Sequence, residues 1–196
     1  MPIMIQRQVV NHTIVSILWP AVEIKVDPAF AFVGMLGFEL KEIAFVERFV
    51  FADWQASETR RLFIVQFEDV LPNVDFTYQY GITNPINLGR HAYSHSVWVY
   101  SNTELVRADP GAESDQTTRF LQDHGYDVMD ERAMSRFARI VDDEHRHEII
   151  IFYEENLNSL GLSLNEYAEL PTDRQQAFQN ALIERSLQSF QLTDLG

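Results

Sequence analysis

The pattern of apolar and polar positions changes character once along the chain, near Pro110 and Gly111. Before that point it reads mainly as strands. Residues 38–54, "FELKEIAFVERFVFADW", carry aromatic and β-branched residues at both parities, which predicts one long bent strand or two joined ones. "TRRLFIVQFEDV" (59–70) predicts the next strand, with "ADWQASE" as the hairpin turn between them. "DFTYQYGI" (75–82) alternates strictly and would place Phe76, Tyr78, Tyr80 and Ile82 on one face. "HSVWVYS" (95–101) predicts a fourth strand. Ahead of these, "VDPAFAFVGMLGF" suggests a short helix over 28–36, with Asp27 as N-cap, Pro28 in the first turn and Gly37 as the stop.

After Gly111 the helical period takes over. "SDQTTRFLQDHG" predicts a helix capped by Ser114 or Asp115 and ended by Gly125. In "DERAMSRFARIVDDE", Met134, Phe137, Ala138 and Val141 fall at i, i+3, i+4, i+7, one helical stripe. "HEIIIFYEE" is a continuous apolar run, the mark of a strand covered on both faces. "PTDRQQAFQNALIERSLQSF" predicts a helix opened by a capping box of Thr172 and Gln175, with Phe178, Leu182, Ile183, Leu187 and Phe190 on one face. No internal repeat or dividing linker interrupts the series. The expected fold class is α+β: a single domain over 1–196, with a curved, mostly antiparallel sheet, open or closed into half a barrel, and helices packed on one side. A meander of consecutive strands is the simplest topology.

Composition narrows the function classes. The chain of 196 residues has a formal charge of −14, and residues 101–196 hold 19 acids against 8 bases. That argues against nucleic acid and against an anionic membrane surface as partners, since both require arrays of Lys and Arg. There are no cysteines, so a metal would have to be held by His, Asp or Glu. The apolar run "TIVSILWPAV" contains Pro20 and lacks the basic flank of a signal peptide, and no run reaches the ~18 residues of a membrane span. A cytoplasmic protein is expected. Gly-rich phosphate loops, G-x-S-x-G and H-E-x-x-H are all missing from the sequence, so nucleotide chemistry by the common motifs is not indicated.

Three groups of residues carry candidate chemistry. In "VDDEHRHEIII", read as a helix-to-strand boundary, His145 and His147 form an H-x-H pair roughly 7 Å apart, a spacing able to hold one ion with nearby carboxylates. No third ligand is fixed by spacing, so a plain boundary is the stronger reading. In "NLGRHAYSHSV", His91 and His95 would lie about 13 Å apart along a strand, too far to share a metal. His91, Tyr93 and His95 are instead expected to line the mouth of a cavity at the end of the sheet. Glu47 and Arg48 stand among apolar residues on opposite faces of one strand, so at least one should be buried and paired, with Gln66 and Glu68 as cross-strand partners. Tyr78, with Trp98 and Tyr100, adds an aromatic wall suited to a pocket or a core.

The leading expectation is a protein that binds a small apolar or aromatic molecule through His91, Tyr93, His95, Glu47, Arg48 and Tyr78. The second is a His/carboxylate enzyme, with or without a divalent metal, resting on His145, His147, Glu148 and the His91/His95 segment. The third is an interaction protein whose 28–36 segment or aromatic face makes a homodimer. Exposure of 28–36 would favour the third reading, and complete burial the first two. Cofactors are left open by the sequence.

Overall fold

The structure, a computed structural model, describes residues 7–55 and 58–195. It is α+β and antiparallel throughout its sheets. The strands are β1 (Gln8–Val10), β2 (Thr13–Ser16), β3 (Val22–Val26), β4 (Ala31–Leu40), β5 (Ala44–Gln55), β6 (Glu58–Val70), β7 (Ile86–Leu88), β8 (His91–Ser101), β9 (Glu131–Ile140), β10 (His147–Asn156) and β11 (Phe190–Asp194). The helices are α1 (Asn102–Ala108), α2 (Glu113–Asp123), α3 (Leu164–Glu169) and α4 (Thr172–Gln188).

A small sheet has the order β1-β2-β3-β11, and a large one the order β4-β5-β6-β10-β9-β8-β7. The large sheet is therefore two meanders rather than one, joined where β6 pairs with β10 from His147↔Asp69 to Glu155↔Arg61. Among the described residues neither sheet closes into a barrel.

Both faces of the large sheet are covered, and the alternation of its strands divides the core in two. The inner face presents Phe49, Phe51, Phe63, Phe67, Phe137 and Tyr153, packed with Ile14, Val22 and Ile24 of the small sheet and Leu182 of α4. Each fully buried Phe contributes roughly 2–3 kcal/mol of transfer free energy. The outer face presents Val50, Leu62, Ile64, Ala138 and Ile150 against Leu121 of α2 and Met129. Thus α1 and α2 serve the outer face, while α4 and the small sheet serve the inner one.

Several sequence expectations need correction. Segment 28–36 is not a helix. Asp27 instead closes a turn, its carboxylate accepting from the Ala29 N–H at 2.7 Å and its carbonyl from the Phe30 N–H at 3.0 Å. The chain then enters β4 and pairs with β5. Residues 134–141 belong to β9 and its end, not to a helix. Met134 and Ala138 face the outer core and Phe137 the inner one. A strand buried on both sides carries apolar residues at both parities, and here their spacing imitated a 3.6-residue period. Residues 75–82 have no ladder; they run as an extended strap, with Tyr78 N–H bonded to the His145 carbonyl at 2.9 Å. "VDDEHRHE" is a β9–β10 hairpin turn, not a helix end.

The long 38–54 run divides into β4 and β5 at Lys41 and Glu42, whose φ values are 50° and 57°. Helix α2 matches the expectation, but Asp115 is not its cap; it accepts from the Gly111 N–H and pairs with Arg119. The capping box forms at Ser163 and Glu166 of α3, whereas α4 starts after Pro171 with no side-chain cap. Phe190 belongs to β11, not to α4.

The tight turn between β7 and β8 depends on Gly89. Its φ is +58°, and a Cβ there would lie 2.4 Å from Asp194 Oδ2, which accepts from the Arg90 N–H at 2.8 Å. Gly89→Val is expected to destabilise the fold by about 1–3 kcal/mol in urea denaturation, with an unchanged midpoint counting against this role.

Candidate functional site

The residues of interest lie on the outer face, between the sheet and the layer formed by α1, α2 and the 71–85 strap. Strand alternation places Arg48 of β5, Gln66 and Glu68 of β6, Glu148 and Glu154 of β10, Arg132 and Arg136 of β9, and Tyr100 of β8 on this side. A sheet covered by a second layer cannot leave such groups to water, so they are joined into a network.

Arg48 is its centre. Its Nε donates to Gln66 Oε1 at 2.6 Å, its Nη1 to the Glu113 carbonyl at 3.1 Å and to Thr117, and its Nη2 pairs with Glu113 Oε1 at 3.3 Å. Burial pulls the guanidinium below its usual pKa, with Glu113 the largest compensating charge. Gln66 acts as a relay: its Oε1 accepts from Arg48 and its Nε2 donates to both Glu68 and Glu113. Arg132 donates to the Met129 carbonyl and to Glu154 Oε2, each at 2.7 Å.

Glu68 and Glu148 stand directly opposite one another in the β6–β10 ladder, and both are buried. Two like charges at this position oppose each other. The strap answers with two hydroxyls, Tyr78 Oη donating to Glu68 and Tyr80 Oη to Glu148, each at 2.7 Å. Arg136 Nη2 lies 3.4 Å from Glu148 Oε1. Burial and the Glu68 charge push the Glu148 carboxyl up to about 7, and burial and Glu113 raise Glu68 as well. Desolvation and the facing carboxylates hold both tyrosines well above the usual phenol range, so they remain donors.

Beside this network is a cavity of about 590 Å³. Its apolar lining is Ile64, Trp98, Tyr100, Leu105, Met134 and Phe152, and its polar lining includes Arg48, Arg132, Arg136, Glu113 and Glu154. The Phe152 ring lies 5.2 Å from the Arg48 guanidinium carbon and 6.0 Å from that of Arg136. Trp98 and Leu105 are exposed at its rim. A smaller cavity of about 280 Å³ is lined by Tyr80, Thr83, Ser94, His95 and Arg136.

The structure brings together Arg48 and Tyr78 of the sequence candidates, but not the others. Glu47 faces the inner core, where it pairs with Arg7; Arg7 also donates to Ser16 Oγ at 3.0 Å and stacks on Phe67. Tyr93 is fully buried in the inner core, and His91 Nε2 lies 3.5 Å from Asp194. His95 borders the smaller cavity while its Nε2 meets Ser135 Oγ at 2.9 Å.

His145 and His147 have separate partners. His145 Nδ1 contacts the Tyr78 carbonyl at 3.1 Å, whereas His147 lies 3.3 Å from Asp142 and stacks against Trp19. Asp142 accepts the backbone N–H of both Arg146 and His147 and so closes the hairpin. Among the described residues no group of three His, Asp or Glu is arranged to hold a metal. Sequence reasoning missed Arg132, Arg136, Glu113 and Glu154. The two arginines were hidden by the helical reading of residues 131–140; alternation with Met134 would have shown them on one strand face.

A carboxyl with a raised folded-state pKa binds its proton more tightly than the unfolded chain does. Glu148 therefore contributes stability below its ordinary pKa, and that contribution is lost as pH rises through about 7. Glu148→Gln removes the loss. Its stability relative to the native sequence is expected to be on the order of 3 kcal/mol better at pH 8 than at pH 5, read by urea denaturation at both values. Equal differences at the two pH values would contradict the buried-carboxyl assignment.

Comparison with protein-family models, with curated proteins and with solved structures returned no match, so the reading of this site rests on its own geometry.

Proposed function

We propose that the chain is a small-molecule-binding protein whose site is the outer-face cavity between the large sheet and α1–α2. The observation that carries the reading is the combination of about 590 Å³ of concave space, walls of Ile64, Met134, Phe152, Trp98 and Tyr100, and a few fixed guanidiniums. Cavities of this size and make-up suit an apolar or aromatic molecule bearing one polar group. The network supports it further, because Arg48 and Arg132 are already held in place and lose little freedom when a ligand arrives. The acid–base alternative has Glu148 as its natural proton carrier, rather than the hairpin histidines.

One observation favours a second reading. In segment 28–36, Phe32 and Met35 are 37% and 41% exposed, and β4 is an edge strand of the large sheet. An edge with exposed apolar side chains can pair with another chain. Sedimentation at micromolar concentration is expected to give a dimer dispersed by Met35→Lys if this edge is an interface; a monomer removes that reading.

For the cavity, paired native and denatured mass spectra of the purified chain should show a mass excess of organic-ligand size that is lost on denaturation. A varied screen of apolar compounds should raise thermal stability, by roughly 2.7 kcal/mol at a hundredfold excess over Kd. Ala112→Trp, which fills the cavity from the start of α2, should abolish the stabilisation while the fold remains intact. A native polypeptide mass together with a silent screen would overturn the proposal.

A further inference from the structure

Arg136 stands at the junction of the two outer-face cavities and lines both. Its side chain remains 30% exposed, and its hydrogen bond to Glu148 is a long one, 3.4 Å from Nη2 to Oε1. The other two cavity guanidiniums are differently placed. Arg48 is bonded through Nε, Nη1 and Nη2; Arg132 is held by Met129 and Glu154 and, although its Nη2 has no hydrogen-bond partner, its side chain is only 3% exposed. A planar fork of five donors with one long hydrogen bond among the described residues, lining the same space as Trp98, Met134 and Phe152, suits a second acceptor taken in its plane.

The counterion of Arg136 is also unlike the others. Glu148 faces Glu68 across the ladder, Tyr80 from the strap, Arg136 from β9 and Glu113 from α2. Glu68 in turn faces Tyr78, Gln66, Arg48 and Glu113. With its carboxyl pushed up to about 7, Glu148 supplies only part of a countercharge near neutral pH.

We propose that the ligand is an amphipathic acid. Its apolar body lies on Trp98, Met134 and Phe152, its carboxylate accepts two parallel hydrogen bonds from Arg136, and Glu148 takes one proton from solvent as it yields its place as counterion. The charge balances: the ligand brings one negative charge and Glu148 loses one. This inference rests on the cavity being the binding site, and adds the ligand's chemical class and its coupling to pH.

Two probes with the same aromatic body separate the claims: 2-naphthaleneacetate and its neutral amide, 2-naphthaleneacetamide, titrated calorimetrically into the full chain between pH 6 and pH 8.5. At pH 6 the acid is expected to bind about tenfold more tightly than the amide, the scale of one charge-assisted bidentate contact. Above pH 7 its Kd should rise toward tenfold per pH unit, the slope of one linked proton. Arg136→Gln should bring the acid-to-amide ratio to within twofold, and Arg136→Lys should keep an intermediate ratio. Glu148→Gln should hold the acid's affinity at its pH 6 value throughout, a result that a merely structural glutamate would not give.

Equal binding of acid and amide to the native sequence overturns the anchor and leaves the cavity occupied. An unchanged pH slope in Glu148→Gln overturns the proton coupling. If neither probe binds, the inference falls, and the broad ligand screen decides the cavity reading separately.

Discussion

A sheet buried on both faces has no wet side on which to place its charges, and this constraint organises the outer half of the molecule. The joint between β6 and β10 holds a three-strand meander and a four-strand meander together, and it sets Glu68 against Glu148 by register alone. Once those carboxyls are opposed and buried, something must supply donors. The strap brings two tyrosine hydroxyls, β5 brings Arg48 through Gln66, and β9 brings Arg136. The strap has no ladder of its own, but it is fixed by Arg146, whose guanidinium donates to the carbonyls of Leu71, Val74 and Phe76.

The same constraint explains why the floor of the cavity is mixed. Phe152 and Met134 occupy sheet positions adjacent to Glu154 and Arg132, so apolar and ionic residues alternate along one surface. Pairing Arg132 with Glu154 and Arg48 with Glu113 neutralises the charges locally, which is the condition for leaving them beside apolar space. Glu113 also belongs to α2, so the ion pair with Arg48 ties the helical cover to the sheet beneath it.

Much of the large sheet was legible from sequence. The runs that became β5, β6, β8 and β10 are long and rich in aromatic and β-branched residues, and α2 and α4 show their period clearly. Arg48 with Gln66 was readable as one of the cross-strand pairings open to Glu47 and Arg48, because these polar residues interrupt two otherwise apolar strands. What failed was the choice between periods in short apolar windows. Pro28 and Gly37 punctuated segment 28–36 like a helix, yet pairing with β5 decided its state. In β9, burial on both sides erased the alternation that identifies a strand. The small sheet escaped entirely, because its strands of three to five residues offer no window long enough to show a period. The cavity depends on contacts between residues as distant as Arg48 and Glu113, which no local pattern encodes.

The small sheet also has a temporal consequence. Its third strand, β3, finds its last neighbour only in β11, paired from Phe190↔Val26 to Asp194↔Val22. During synthesis, residues 22–26 emerge before residues 190–194 and wait for them. Through that interval the Phe63 and Phe137 rings lack Phe190, which later lies 5.2 Å and 6.1 Å from them. On the ribosome, the nascent chain thus carries an incomplete aromatic face until residues 190–194 have been made, and β11 is what seals it.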